Sequence, residues 1–218
     1  MVLPQRQPGD NRLTVFIELD DTVLHTFIYD ENFGFMSDPH PREPEHVLHF
    51  GDKRIPIRVY MRAYAHEFLQ FFKDNKHIYE PIVYTAGVPG YTELLLDILD
   101  PKREIFEHKL YQNACYVFEK KDEDIYQLVK DVSRFKATRD MRRCVLLDPN
   151  PLNFMLTPEN GLPVIPYTAE IDSGKGPKDD YLLGMIEQIK DLEKSEDTRA
   201  YLRENYNVRQ ILKNARLL

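Results

Sequence analysis

Three things are scarce in this sequence of 218 residues, and each scarcity argues against a class of protein. The two cysteines, Cys115 and Cys144, are too few for a disulfide framework or a cysteine metal cluster, and Cys144 lies in an apolar run typical of a buried inert thiol. No apolar run approaches the roughly 20 residues that cross a bilayer, and the first residues have neither a signal-peptide core nor a transit-peptide helix. We therefore expect a soluble chain without a membrane-spanning segment.

Positive charge is also scarce. The chain has 29 Lys and Arg against 36 Asp and Glu, so its net charge is −7. Because such a chain repels phosphate backbones, we expect no nucleic-acid partner and a preference for basic partners. The composition is otherwise globular, with 42% hydrophobic and 30% charged residues. The length predicts a single domain. A family resemblance carried by motifs along the chain implies that this domain covers 13–218 and that 1–12 form an N-terminal tail.

Short apolar runs alternate with helical patterns along the chain. Residues 13–19, 78–84 and 144–147 are nearly continuous apolar runs, which indicate central parallel strands. Helical spacing of apolar residues lies between the first two runs, after the second, and again in the C-terminal part from residue 179. This alternation predicts an α/β fold in which helices cover both faces of a parallel central sheet.

A small insertion follows the first predicted strand. Residues 30–44 are polar and rich in turn formers, so they should be an excursion outside the sheet. Residues 47–50 and 54–60 flank a Gly-Asp pair and alternate in polarity, which predicts a β-hairpin. Pro56 cannot donate a hydrogen bond to a neighbouring strand, so we expect the second hairpin strand to be an edge strand.

Polar side chains of chemical interest stand at or just after the ends of these elements. They are Glu18, Asp20 and Thr22 after the first strand, then Thr85, Lys130 and Asp148. Taken singly, each has an ordinary interpretation. The acids after the first strand could cap a turn, Thr85 could begin a helix, and Lys130 with Asp131 could be a solvated pair on a helix.

Together and in this order, these residues resemble the four motifs of the haloacid dehalogenase (HAD) superfamily. In its phosphatases the first motif is Asp-x-Asp-x-Thr or Val, whose first carboxylate attacks phosphorus and whose second is the general acid and base. The resemblance implies three sets of site residues: catalytic Glu18 and Asp20, phosphate-binding Thr22, Thr85 and Lys130, and a weak Mg²⁺ site at Glu18, Asp20 and Asp148.

Longer segments narrow the resemblance. Residues 83–86, 129–134 and 158–163 are similar to the branch with the FCP1-type homology domain. That branch contains the phosphatases of the RNA polymerase II C-terminal domain and the fifty-kilodalton receptor subunit of the mitochondrial inner-membrane presequence translocase. The run Asp148-Pro149-Asn150-Pro151 is intermediate between the corresponding sequences of the phosphatases and of the receptor subunit. We favour the resemblance to the receptor subunit.

Two departures from the phosphatase pattern predict poor catalysis. Glu18 stands where the nucleophilic aspartate belongs, and its extra methylene moves the carboxylate by roughly 1 Å, which can cost ~10²-fold in rate. Pro149 stands where the phosphatases have an asparagine, and it offers no side-chain oxygen to magnesium. The resemblance therefore favours a protein that is not an efficient enzyme.

Three hypotheses remain at this stage. The first is a binding subunit in mitochondrial protein import, at the inner membrane or intermembrane space, whose partners are basic amphipathic presequence peptides or translocase subunits. The second is a Mg²⁺-dependent protein serine/threonine phosphatase in the nucleus or cytoplasm, with residues 30–44 as a substrate-recognition insertion. The third is a scaffold subunit of a larger assembly.

Overall fold

A computed structural model describes residues 3–28, 42–120, 125–168 and 179–215. The polar excursion predicted at 30–44 lies almost wholly outside these residues. Within the described ranges, no helix has both the length and the apolar character needed to span a membrane.

Ten strands and five α-helices make up the regular structure of the described residues. The strands are β1 (Leu13–Ile17), β2 (Leu24–Ile28), β3 (His46–Phe50), β4 (Ile55–Met61), β5 (Tyr79–Tyr84), β6 (His108–Leu110), β7 (Tyr116–Lys120), β8 (Ile125–Val129), β9 (Cys144–Asp148) and β10 (Gly161–Pro163). The helices are α1 (Ala65–Asp74), α2 (Pro89–Leu99), α3 (Tyr181–Lys194), α4 (Thr198–Asn205) and α5 (Val208–Asn214). Short 3₁₀ turns connect several of them.

The central sheet is parallel throughout, in the order β10-β9-β1-β5-β6. Its middle strand β1 is buried along its whole length, which explains the continuous apolar run. Val15 and Ile17 face a core built with α1, α2 and α3, whereas Phe16 faces a second core. The second core is covered by α5 and by 3₁₀ turns that carry Phe135 and Phe154. The predicted α/β fold is thus confirmed.

The insertion after β1 is a three-stranded antiparallel sheet in the order β2-β4-β3. The predicted hairpin is β3 and β4, but the prediction that its second strand lies at an edge is wrong, because β4 is central. In the described residues, β2 pairs with Ile57–Met61 of β4, and Pro56 lies opposite His49 of β3. The remaining strand of this sheet, β2, follows the first motif directly in the chain.

The N-terminal segment at 3–12 packs against the domain without forming regular structure. Leu3 is buried in the second core, and Arg6 forms an ion pair with Glu80. Glu80 is 1% exposed and accepts hydrogen bonds from Arg139 through both carboxylate oxygens. A buried carboxylate requires such partners, since burying an unpaired charge is costly.

Candidate active site

The residues singled out from the sequence meet at one edge of the central sheet. Glu18 follows β1, Thr85 follows β5 and Asp148 ends β9, and these three strands are neighbours. Since the carboxyl ends of adjacent parallel strands lie side by side, their side chains converge. Lys130 reaches the same place from the end of β8, in the two-stranded sheet β7-β8.

Lys130 is the centre of this cluster. Its Nζ lies 2.5 Å from Glu18 Oε2 and also donates to Asp148 Oδ2, and both Lys130 and Asp148 are fully buried. Burial alone lowers the pKa of Lys130, but the charges of Asp148 and Glu18 outweigh it and raise that pKa, so the ammonium is charged. The interpretation of Lys130 as a solvated helix residue is therefore wrong.

The two buried carboxylates depend on this one ammonium group. Removing one partner of a buried ion pair leaves an uncompensated charge, so we expect Lys130→Met to lower the free energy of unfolding by about 3–5 kcal/mol. Lys109→Met is the control, because Lys109 pairs with Glu93 at a partly exposed position, and such pairs are worth about 0–1 kcal/mol. Urea denaturation measures both; equal losses would contradict the central place of Lys130.

Glu18 is held by main-chain donors as well as by Lys130. Its Oε1 accepts a hydrogen bond of 2.9 Å from the N–H of Leu19, and its Oε2 accepts one of 3.4 Å from the N–H of Ala86. The Glu18 side chain thus folds back toward its own main chain. This conformation accommodates the methylene group that glutamate has in excess of aspartate. Loop N–H groups and a lysine are the donors that bind phosphoryl oxygens, so here the Glu18 carboxylate itself occupies an anion-binding position.

Asp20 has a different environment from Glu18. Its Oδ1 accepts hydrogen bonds from the Tyr91 hydroxyl at 2.6 Å and the Thr26 hydroxyl at 3.0 Å, and those two hydroxyl oxygens lie 2.8 Å apart. Burial, followed by the negative charge of Glu18, raises the pKa of Asp20 to about 6. A carboxyl group whose pKa is raised toward neutrality is suited to act as a general acid.

Two threonine hydroxyls border the same edge of the sheet. Thr22 is fully buried, and its Oγ1 has no hydrogen-bond partner in the described part of the chain. Thr85 is also buried, and its Oγ1 accepts a hydrogen bond of 3.0 Å from the N–H of Gly87. Buried polar atoms are normally paired, so the Thr22 hydroxyl is suited to bind a ligand oxygen. Phosphate binding by Thr22, Thr85 and Lys130 remains a prediction.

The carboxylates predicted to bind magnesium are not equally available. Asp148 Oδ1 accepts from the N–H of Asn150 at 2.8 Å, and its Oδ2 accepts from the Asn153 amide at 2.8 Å as well as from Lys130. Both oxygens are engaged, so the geometry does not favour Asp148 as a metal ligand. Both oxygens of Glu18 also accept hydrogen bonds, so either residue must exchange one of them for Mg²⁺, which needs only one or two carboxylates and keeps several waters. The residues thus fit a weakly held Mg²⁺.

Sequence reasoning missed three contributors to the site. Thr26 lies on the unpredicted strand β2, and Asn153 lies in a 3₁₀ turn after β9 whose first residues are capped by Asn150. Tyr91 lies in α2, and the sequence pattern assigned it no role. Asn153 is 5% exposed, and its position five residues after Asp148 in a turn-forming Asn-Pro segment was the available signal.

A solved structure shares this fold. The RNA polymerase II C-terminal-domain phosphatase Fcp1 superposes with a TM-score of 0.51 at 20% sequence identity, covering 89% of this chain and 53% of that one. At this identity the likeness concerns the fold, and it agrees with the HAD-like architecture expected from the sequence.

Curated relatives are similar over most of the chain. The mouse protein described as "Carboxy-terminal domain RNA polymerase II polypeptide A small phosphatase 2" is 30% identical over 198 residues, which are 90% of this chain and 63% of that protein. A "Probable C-terminal domain small phosphatase" of Dictyostelium discoideum is 30% identical over 89% of this chain and 55% of its own length. This chain spans less than two thirds of either relative.

These relatives correct the prediction of a mitochondrial import receptor, which is wrong. They are described as C-terminal-domain small phosphatases. Binding of presequences or of translocase subunits, and a location at the mitochondrial inner membrane, have no support among them. The departures at Glu18 and Pro149 concern the rate of a reaction and not the identity of a partner, so they do not indicate an import receptor.

The match to a protein family covers most of the chain. Residues 13–199 match the family described as "NLI interacting factor-like phosphatase". The matched range begins at β1 and ends within α4, so it contains every site residue described above. The chain therefore belongs to the NLI interacting factor-like phosphatase family.

Proposed function

We propose that this domain hydrolyses phosphomonoesters of protein serine or threonine residues, with Glu18 as the nucleophile and Asp20 as the general acid and base. One observation carries the proposal. Glu18 is held by a buried lysine and two main-chain N–H groups, while Asp20, two residues further, has a pKa of about 6. An acid with such a pKa can both donate and accept a proton near neutral pH.

The first chemical step forms a covalent intermediate. A Glu18 oxygen attacks phosphorus, the bond from phosphorus to the ester oxygen breaks, and a phosphoryl group becomes attached to the glutamate as an acyl phosphate. Asp20 donates its proton to the departing alcohol oxygen. The products of this step are the free hydroxyl side chain of the substrate and the phosphorylated Glu18.

The second step regenerates the protein. Asp20, now a carboxylate, accepts a proton from a water molecule whose oxygen attacks the phosphorus. The bond between phosphorus and the Glu18 oxygen breaks, orthophosphate leaves, and both carboxyl groups return to their first states. A water molecule supplies the only additional atoms, so the atoms balance over the two reaction steps.

The surrounding donors stabilise charge on the phosphoryl oxygens. Lys130 and the N–H groups of Leu19 and Ala86 donate to the Glu18 carboxylate and become available to the phosphoryl oxygens when that carboxylate is displaced, and the Thr22 hydroxyl has no partner among the described residues. When bound at the Glu18 carboxylate, Mg²⁺ would neutralise part of the negative charge of the phosphoryl group. Asp148 acts through Lys130, which it holds in place.

The names of the relatives support the proposed substrate class. Several are named for the C-terminal domain of RNA polymerase II, which favours a phosphorylated protein segment over a small metabolite. A location in the nucleus or cytoplasm, the alternative considered from the sequence, fits these names. The membership of the family and the shared fold support the proposal without identifying the segment.

The direct test is hydrolysis by the purified chain. We expect slow, Mg²⁺-dependent release of orthophosphate from p-nitrophenyl phosphate and from a phosphoserine peptide, abolished by chelation of the metal. Glu18→Gln is the control, because an amide cannot attack phosphorus while it keeps a similar shape. Equal release by the natural chain and by Glu18→Gln would show a contaminating phosphatase and contradict the proposal.

A further inference from the structure

The hairpin that carries Lys130 into the site has an unpaired edge. Strands β7 and β8 pair with each other, and no third strand joins them in the described part of the chain. β8 is the more covered of the two, since it lies beside the 3₁₀ turn Pro151–Phe154 and its last residue, Val129, is buried. Residues 116–119 of β7 form no main-chain hydrogen bond outside the hairpin to any described residue. The outer edge of β7 is therefore available to another strand.

Main-chain and side-chain groups both favour an extended peptide at this edge. In an antiparallel pair, the N–H and C=O groups of alternate residues point away from the partner strand. Tyr116 and Val117 are each 54% exposed, and consecutive side chains of a strand point to opposite faces. The unpaired groups of β7 are thus flanked by an exposed apolar side chain on each face. An added strand would satisfy the main-chain groups and cover both side chains.

The base of this hairpin is fixed beside the phosphate-binding residues. The hydroxyl group of Tyr84, the last residue of β5, donates to Ala114 O at 2.8 Å just before β7. The same hydroxyl accepts from the N–H of Asp131 at 3.2 Å just after β8. The Cys115 thiol donates to Thr85 O at 3.7 Å. β7 therefore begins next to Thr85 and leads away from the site.

We propose that the outer edge of β7 binds the segment of the substrate that flanks the phosphoserine, as an added third strand. The proposal rests on the proposed function, because it assumes that the phosphoserine reaches Glu18. Residues 116–119 extend about 13 Å at about 3.3 Å per residue, which is enough to pair with about four substrate residues. The substrate is favoured over a second copy of the chain, because β7 begins where the main chain of a bound phosphoserine peptide must pass.

This mode of binding defines the substrate class more closely. Main-chain pairing provides affinity with little dependence on sequence, and alternate side chains provide the selectivity. The side chains that face Tyr116 and Val117 should be apolar or β-branched, since such residues pack well in strands. We therefore expect a phosphoserine followed or preceded by an extended segment of that kind, in preference to one flanked by glycine and proline.

The test uses a peptide with phosphoserine between two Thr-Val-Thr-Val segments, in which one main-chain N–H at a time is replaced by an N-methyl group. Calorimetry measures binding to Glu18→Gln, which does not consume the peptide. Strand pairing engages the N–H groups of alternate residues. On one side of the phosphoserine, methylation at every second position should raise Kd about 5-fold, and at the positions between it less than about 2-fold.

Variants of the protein test the same edge independently. Tyr116→Lys and Val117→Lys should each raise the ratio of KM for this peptide to KM for p-nitrophenyl phosphate by about 5-fold, because the latter has no flanking segment. Ile211→Lys is the matched control, since Ile211 is 44% exposed on α5 and the ratio should not change. A response equal to that of the control in both β7 variants would contradict the proposal.

The outcomes separate this proposal from the proposed function. If the chain hydrolyses p-nitrophenyl phosphate but Kd does not alternate along the peptide, strand addition is overturned alone. If neither the natural chain nor Glu18→Asp hydrolyses any substrate, the proposed function is overturned, while alternating Kd values would still support pairing at β7. A chain that elutes as a dimer, and as a monomer after Val117→Lys, would assign the edge to a second copy and overturn the proposal.

Discussion

Glu18→Asp should raise kcat for p-nitrophenyl phosphate by roughly 10²-fold, because a displacement of about 1 Å at the reacting atoms can change a rate by that factor. In the natural chain the Glu18 carboxylate accepts hydrogen bonds from Leu19, Ala86 and Lys130. A substrate phosphoryl group needs those same donors, so it must displace the carboxylate before reaction. An aspartate is one methylene shorter and should leave the donors free for the phosphoryl oxygens.

The same substitution should also be visible without turnover. Orthovanadate, an anion that resembles phosphate, should bind more tightly to Glu18→Asp than to the natural chain, as calorimetry can measure. Glu67→Asp is the matched control, because Glu67 is exposed on α1 and the change should affect neither rate nor binding. A Glu18→Asp protein that is slower than the natural chain would contradict this account, since it would show that the site is adapted to glutamate.

Asp20→Asn should lower the steady-state rate by about 10³-fold, because an asparagine can neither donate the proton to the leaving alcohol nor accept one from water. With dinitrophenyl phosphate the first step should still proceed, since that leaving group needs no proton. Phosphorylated Glu18 should then accumulate. Mass spectrometry after an acid quench should find one phosphoryl group on the peptide that contains Glu18.

The neighbouring carboxylate provides a matched control for that experiment. Asp21 pairs with His25 at 2.5 Å, and its side chain is 42% exposed. We expect Asp21→Asn to keep its activity within about 3-fold, since exposed ion pairs contribute little energy. If Asp21→Asn were as inactive as Asp20→Asn, the roles assigned to the two acids would have to be revised.

Much of the fold was predictable because buried strands have a recognisable pattern of apolar residues in the sequence. β1 and β9 are buried on both faces of the sheet, and they appear as continuous apolar runs. Parallel pairing of adjacent strands then brings their ends together, which is why Glu18 and Asp148 could be placed at one site. Lys130 has no such local signal, and only its resemblance to a family motif indicated its position.

The parts that could not be predicted depend on contacts between distant segments. The order of the small sheet depends on β2, which is only partly buried and mixes polar with apolar residues, so it lacks the apolar run of a central strand. Without β2, Pro56 wrongly indicated an edge strand. The contact between Tyr91 and Asp20 joins residues 71 positions apart in sequence. Similarly, the engagement of both Asp148 oxygens follows from the folded surroundings and not from its neighbours in sequence.

The most direct test of the central claim is hydrolysis of a phosphoserine peptide, with Mg²⁺, by the natural chain beside Glu18→Asp and Glu18→Gln. The account predicts slow release of orthophosphate by the natural chain, faster release by Glu18→Asp and none by Glu18→Gln. Absence of release by both the natural chain and Glu18→Asp, at high protein concentration and with every substrate above, would contradict the claim that this site hydrolyses phosphomonoesters.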